Sequence, residues 1–245
     1  MGVSTTSAIR RCPVFVWLFS SIGKKTVVAL TGIVLALFVT GHLAGNMTFY
    51  FGPQILNAYA KHLQSLGPFL WVIRLCLLTI LLLHIGFILV LVKENHGARP
   101  QKYHVKKHVQ STAFARTMRA SGSILLAFII FHILHFTACT INPAFKSLEY
   151  TYTDSGETVH NVYAMVVMGF SVPWVSAFYI FSMFLLAFHL SHGIPSLFQT
   201  LGLSNKFLRG VFEIGGRAFA WLIFVGYTSI PVSILFFHVG KEALK

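Results

Sequence analysis

The sequence predicts an all-α membrane protein with five transmembrane helices. Its 245 residues are 56% hydrophobic and only 10% charged, and the mean hydropathy is +0.73. A soluble globule of this composition would lack the polar surface that must face water. Five apolar runs are each about 20 residues long, which is enough to cross a hydrocarbon core of about 30 Å. These spans are expected at about 26–46, 69–92, 120–140, 174–198 and 214–238.

The basic residues predict the orientation of these spans. Of the 19 Lys and Arg, four lie in residues 1–25, seven in 93–119 and three in 199–217. Because cytoplasmic loops carry the excess of Lys and Arg, we expect the N-terminus in the cytoplasm and the C-terminus outside. No internal repeat divides the chain, so 1–245 is expected to form a single helical domain.

The net charge of +13 implies an anionic neighbour, either lipid headgroups or an acidic partner protein. Nucleic acid is disfavoured as that neighbour, because the basic residues lie between apolar spans and not along one stripe. The three cysteines form no CxxC pair, which disfavours zinc and covalently attached haem.

Histidines are the residues that point to chemistry. The first four spans each contain at least one, and these are His42, His84, His132 with His135, and His189 with His192. An ionisable side chain inside a membrane is costly, so each is a candidate functional residue. For a single histidine, a hydrogen bond to a neighbouring helix is the plainer explanation. Four consecutive helices with histidines favour a shared ligand.

The depths of these histidines sort them into two pairs. With the expected helix directions and a rise of about 1.5 Å per residue, His42 lies about 24 Å and His132 about 18 Å from the cytoplasmic end. His84 and His192 lie at about 12 Å and about 10 Å. Each pair draws on two helices, as axial ligation of a haem between two imidazoles requires. A zinc site would need three or four ligands at one depth.

Several segments resemble a known family. SSIGKK (20–25), ALTG (29–32) and TGHLAGN (40–46) are similar to the first span of the five-helix, dihaem cytochrome b anchors of bacterial succinate dehydrogenases and fumarate reductases. HGIPSLFQTLG (192–202) resembles the end of their fourth span. The second and third spans resemble the corresponding spans of these anchors mainly by a histidine at a comparable depth. The resemblance extends over nearly the whole chain.

The resemblance implies two b haems with one axial ligand from each of the first four spans. The outer haem would be held by His42 and His132, and the inner haem by His84 and His192. In the family's pattern the third-span ligand follows a glycine by about ten residues, which selects His132, and the fourth-span ligand precedes a glycine, which selects His192. His135 and His189, three residues away on nearly the same helix faces, are the alternatives.

The same resemblance implies the function. The chain would be the membrane anchor of succinate dehydrogenase, respiratory complex II, in the bacterial cytoplasmic membrane. It would pass electrons between a flavoprotein and iron-sulfur subunit pair and a membrane quinone, with menaquinone favoured, and carry no succinate-oxidising site itself. The alternatives are a cytochrome b subunit of a hydrogenase or formate dehydrogenase and a non-haem transporter. The sequence leaves the oligomeric state open, a higher oligomer included.

Overall fold

The computed structural model describes residues 13–98 and 113–244, which are mostly helical. Five helices in this part of the chain are long and apolar enough to cross a membrane, as predicted. They are Ser21–Phe51, Pro68–Gly97, Phe114–Thr137, Pro173–Thr200 and Leu208–Phe237, and are called the first to fifth spans. Which side of the membrane each terminus faces stays a prediction. That prediction rests on the positions of Lys and Arg. Some of them lie in residues 1–12 and 99–112, outside the described residues.

The spans are joined by shorter elements. The α-helices are Pro13–Phe19, Ser21–Met47, Pro53–Ser65, Pro68–Gly97, Ala113–His132, Val162–Phe170, Pro173–Thr200 and Leu208–Phe237. Short 3-10 helices cover Thr48–Phe51, Pro143–Ser147 and Lys241–Leu244, and a π-helical turn covers Ile133–Thr137. The strands Glu149–Thr151 and Thr158–His160 pair antiparallel, with Tyr150 opposite Val159.

Local sequence explains where several spans begin and end. The Ser20 hydroxyl accepts a hydrogen bond from the Gly23 N–H at 3.0 Å, and so satisfies a donor that the first turn of a helix leaves free. Pro68 and Pro173 stand in the first turns of the second and fourth spans, where a missing N–H is tolerated. The fifth span ends at Phe237, and the next residue, His238, has a left-handed φ of +56°.

The fourth span is the centre of the bundle. It packs against the first, third and fifth spans, and it contributes two groups of buried apolar residues that meet the fifth span. The second span is peripheral, because it packs chiefly against the first span and none of its residues is buried. At one end of the bundle Lys24, only 5% exposed, pairs with Glu94 and ties these two spans together.

The connections at the opposite end fold into a small layer. It consists of the helix Pro53–Ser65, the β-hairpin and the helix Val162–Phe170, and we call it the outer cap. Its centre is Asn57, which is 0% exposed. The Asn57 side chain donates to Asn161 Oδ1 at 3.2 Å and accepts from the Tyr163 N–H at 3.0 Å. The hairpin was not predicted from the sequence.

The third span begins and ends earlier in the chain than predicted. Its helix begins six residues before the expected 120 and ends at Thr137, not at 140. The chain cannot continue the helix there, because Cys139 has a left-handed φ of +50°. In the fourth span the helix passes through Pro195 and continues to Thr200.

Candidate functional site

The histidines of the first four spans fall into two groups in space. The outer cluster contains His42, His132 and His135, and the inner cluster contains His84, His189 and His192. Each cluster draws on more than one helix, and each contains one of the pairs predicted from depth. The names outer and inner follow the predicted orientation.

His42 and His132 face each other across the first and third spans. Their ring centroids are 5.9 Å apart and their planes are inclined by 78°. An imidazole nitrogen binds a first-row metal at about 2 Å, so two rings on opposite sides of one ion have centroids about 6 Å apart. Both side chains are half-buried. The separation of this pair therefore fits two axial ligands of a single iron.

Tyr179, in the fourth span, links the two third-span histidines. Its hydroxyl lies 3.3 Å from Nδ1 of His132 and 3.3 Å from Nδ1 of His135. A hydroxyl has one proton and can accept more than one hydrogen bond, so it donates to at most one of the two rings. If His132 binds a metal through Nε2, its Nδ1–H donates to Tyr179, and Tyr179 donates to His135. This chain of hydrogen bonds would orient the ring of His132.

His135 is less suited to hold a large cofactor than His132. It is 1% exposed, and its ring lies 4.1 Å from that of Phe136 and 5.5 Å from that of Phe145. A Cβ added to Gly169 would stand 3.2 Å from its Cε1 atom. The π-helical turn begins directly after His132, and such turns are frequent at functional sites. The geometry favours His132, in line with the prediction.

In the inner cluster, His84 is held by a hydroxyl of the first span. Thr31 Oγ1 lies 3.0 Å from His84 Nδ1 and donates its own proton to the Val27 carbonyl at 2.7 Å. When its proton is on the Val27 carbonyl, the Thr31 hydroxyl accepts from Nδ1–H of His84, and Nε2 of His84 is then unprotonated. That nitrogen is the one able to bind a metal. Gly32 brings the backbone close, since a Cβ there would stand 3.4 Å from the ring.

His189 occupies the corresponding position on the fourth span. Ser121 Oγ lies 3.5 Å from its Nδ1 and 3.1 Å from the Met118 carbonyl, and when the hydroxyl donates to that carbonyl it accepts from the ring. A Cβ added to Gly122 would stand 3.6 Å from His189 Cε1. His189 is near enough to His84 and His192 to interact with both electrostatically. Its hydrogen bond matches those of His84 and His132.

His192, the residue predicted as the fourth-span ligand, has a different environment. It is half-buried and lines a cavity between the end of the fourth span and the beginnings of the third and fifth spans. The geometry thus favours His189, the alternative residue, for the partner of His84. The assignment of His192 stays a prediction, and the two variants compared in the Discussion test it.

Pairs of imidazoles characterise the site. Within residues 13–98 and 113–244, no three or more His, Cys, Asp or Glu side chains converge on a point where they could hold a metal ion. Two imidazoles on separate helices are the donor set of a low-spin haem, and hydroxyl groups lie beside three of the candidate rings, those of His84, His132 and His189. The residues present fit that group.

The orienting hydroxyls were not identified from the sequence. They belong to Thr31, Ser121 and Tyr179, each on a neighbouring helix. Thr31 and Ser121 also bond to their own helix backbone, as hydroxyl residues in helices generally do. Sequence alone offers no signal that separates them from the other hydroxyl residues of the spans.

Comparisons of the sequence with protein-family models, with curated proteins and with solved structures found no match.

Proposed function

We propose that this chain is the membrane anchor and cytochrome b subunit of a succinate:quinone oxidoreductase. It would hold two b haems, which supply one-electron transfer across the membrane. His42 and His132 would bind the outer haem. His84 would bind the inner haem together with His192, as the sequence predicts, or His189, which the geometry favours.

The observation that carries this proposal is the His42–His132 pair. The two rings come from different spans, stand 5.9 Å apart, and one has its Nδ1 held by Tyr179. A histidine that only bonds a neighbouring helix would have no reason to face a second histidine on another span. In the inner cluster, Nδ1 of His84 likewise lies within hydrogen-bond distance of a hydroxyl on another span, that of Thr31.

The part of the proposal that names succinate and quinone rests on the resemblance of segments 20–25, 29–32, 40–46 and 192–202 to the dihaem anchors. The basic end of the bundle would dock the iron-sulfur subunit, and the flavoprotein would oxidise succinate outside the membrane. A transmembrane electron path would let the membrane potential contribute about 2.3 kcal/mol per charge per 100 mV when a low-potential quinone such as menaquinone is reduced. The proposed location is the bacterial cytoplasmic membrane.

One purification in detergent tests the proposal. A pyridine haemochrome assay should give two b haems per chain, and the co-purified subunits should include a flavoprotein and an iron-sulfur protein. A colourless protein would favour a non-haem transporter. A haem protein that co-purifies with hydrogenase or formate dehydrogenase subunits would place the chain in another respiratory enzyme.

A further inference from the structure

An open groove lies at the corner between the helix Pro53–Ser65 and the second span. It has a volume of about 650 Å³, and none of the described residues that line it belongs to either histidine cluster. Gly67, in the lining, makes the corner possible, since its φ of +52° lies in the left-handed region. A Cβ added to Gly67 would meet no atom within 4 Å. The corner therefore leaves room for a ligand.

Arg74 is the only charged residue among the described residues of this lining. Its guanidinium carbon lies 5.0 Å from the centre of the Trp71 ring, so the cation rests on the aromatic face. No carboxylate within residues 13–98 and 113–244 forms an ion pair with Arg74. Lys61, at the same end of the bundle, differs in this respect because it is paired with Glu157. The positive charge of Arg74 is thus uncompensated, and the groove favours an anion.

The depth of Arg74 indicates the source of that anion. The second span begins at Pro68, so Arg74 lies about 9 Å from the start of the helix. The span has 30 residues and is about 45 Å long, whereas the hydrocarbon core is about 30 Å thick. With the span centred in the bilayer, about 7 Å of helix extends beyond the core at each end. Arg74 therefore lies at the boundary of the hydrocarbon, within reach of the lipid phosphates.

The surface of the second span below the groove fits acyl chains. Trp71, Leu75, Leu78 and Leu82 are spaced by four, three and four residues, so they lie on one face of the helix. We call this face the leucine stripe, and each of its side chains is between 48% and 61% exposed. A phosphate that carries acyl chains would contact both the groove and the stripe. A free phosphate would contact the groove alone.

We propose that the groove binds an anionic phospholipid of the phosphatidylglycerol type, with its phosphate on Arg74 and its acyl chains along the leucine stripe. The planar guanidinium can donate two parallel hydrogen bonds to two phosphate oxygens. The amide of Gln64, also in the lining, can donate a hydrogen bond to an oxygen of the headgroup. A zwitterionic lipid is disfavoured, because no carboxylate among the described lining residues would pair with its ammonium group. The site requires no haem.

The test measures binding of dioleoylphosphatidylglycerol by native mass spectrometry. The purified full-length protein, with any co-purified subunits, is first freed of bound lipid in detergent. Arg74→Gln should weaken binding of the first lipid about tenfold to a hundredfold, because it removes hydrogen bonds from a charged donor. Arg74→Lys keeps the charge without the planar fork, so its loss of affinity should be intermediate. Lys146→Gln is the matched control, since Lys146 is an exposed cation outside the groove, and this variant should bind as the unmodified protein does.

Several results would overturn the inference. Unchanged affinity in Arg74→Gln would show that the groove does not hold the phosphate. An equal loss in Lys146→Gln would mean that net charge alone attracts the lipid. Equally tight binding of dioleoylphosphatidylethanolamine would remove the selectivity, and displacement of the lipid by millimolar inorganic phosphate would identify a site for a soluble anion. If Arg74→Gln does not fold, Arg74→Lys decides, and unchanged affinity in that variant overturns the inference.

Discussion

The outer and inner clusters present the same donor groups in different surroundings. In the outer cluster, the rings of His42 and His132 lie among aromatic neighbours, including Phe38 at 5.4 Å and Phe128 at 5.9 Å. The third histidine of this cluster is sealed between the third span and the connection that leads into the outer cap. In the inner cluster, His84 comes from the second span, in which no residue is buried. His192, on the other side of this cluster, lines the cavity between the third, fourth and fifth spans.

This difference shows two ways of holding a histidine inside a bundle. The outer cluster is fixed by packing, since rings and cap enclose it on several sides. In the inner cluster, individual hydroxyl groups contact the rings, Thr31 at His84 and Ser121 at His189. The two clusters should therefore respond differently to changes in packing and to the loss of single hydrogen bonds.

The largest effect is expected from the outer pair itself. His132→Ala removes a proposed axial ligand and should reduce the haem content from two to one per chain in a pyridine haemochrome assay. His135→Gln, which keeps a polar side chain on the same turn, should leave both haems in place. Loss of a haem from the His135 variant, and not from the His132 variant, would show that the sealed histidine is the ligand.

Removal of an axial ligand from the inner pair should also remove one haem. Substitutions of the two fourth-span histidines, His189 and His192, should differ in this effect. The geometry leads us to expect that His189→Ala abolishes low-spin ligation of the inner haem and that His192→Ala retains both haems. The opposite result would uphold the prediction from sequence, in which the ligand is His192. His84→Ala serves as the reference, since both assignments require it.

Single hydrogen bonds should matter more in the inner cluster. Loss of a partner that orients a metal-bound histidine typically lowers metal affinity by about 10-fold to 100-fold. Thr31→Val keeps the size of the side chain and removes the hydroxyl beside His84, so it should lower the affinity for the inner haem by close to 100-fold. Thr31→Ser should restore binding. Tyr179→Phe should lower the affinity for the outer haem by only about 10-fold, because packing still holds His132. Haem transfer to an acceptor apoprotein measures both, and equal losses would refute the contrast between the clusters.

The outer cap should influence the outer cluster alone. Asn57→Ala leaves the buried Tyr163 N–H without an acceptor, which costs about 1–3 kcal/mol. On heating, the outer haem signal should then disappear at a lower temperature while the inner one is unchanged. Asn205→Ala is the control at the other end of the bundle, where Asn205 accepts from the Leu208 N–H at 2.8 Å. A downward shift of both signals in the Asn57 variant would mean that the cap supports the whole bundle.

The smallest effect is expected from the ion pair between Lys61 and Glu157 in the cap. The nitrogen and oxygen are 2.5 Å apart, but the side chains are 46% and 49% exposed, so the pair contributes at most about 1 kcal/mol. Lys61→Ala should shift neither haem signal measurably in a thermal scan at physiological salt. A shift as large as that of Asn57→Ala would contradict this ranking.

Most of the bundle could be predicted from the sequence, because a membrane span needs only length and apolar composition. The proximity of His42 to His132 agrees with their predicted depths, since depth depends only on helix direction and rise per residue. Depth does not determine which way a side chain points, so it could not separate His189 from His192. That choice depends on Ser121 and Gly122 of the neighbouring span, and contacts between helices have no local signature in the sequence.

The hairpin could not be predicted for a related reason. Its strands are three residues long and carry a mixture of polar and apolar side chains, so neither shows a clear alternation. They are held by the pairing of Glu149 with His160 and of Thr151 with Thr158 across a turn. Short edge elements of this kind acquire their stability from the helices beneath them.

The hydrogen bond from Asn57 to Asn161 has a consequence for biosynthesis. The two residues are 104 positions apart and are separated by the second and third spans. During synthesis, the cap can close only after the ribosome has delivered both of those spans and the hairpin that follows them. Until then the helix Pro53–Ser65 has no partner from the second half of the cap. Its amphipathic character suits this helix to lie at the membrane surface. The outer end of the bundle is therefore among the last parts of the molecule to assemble.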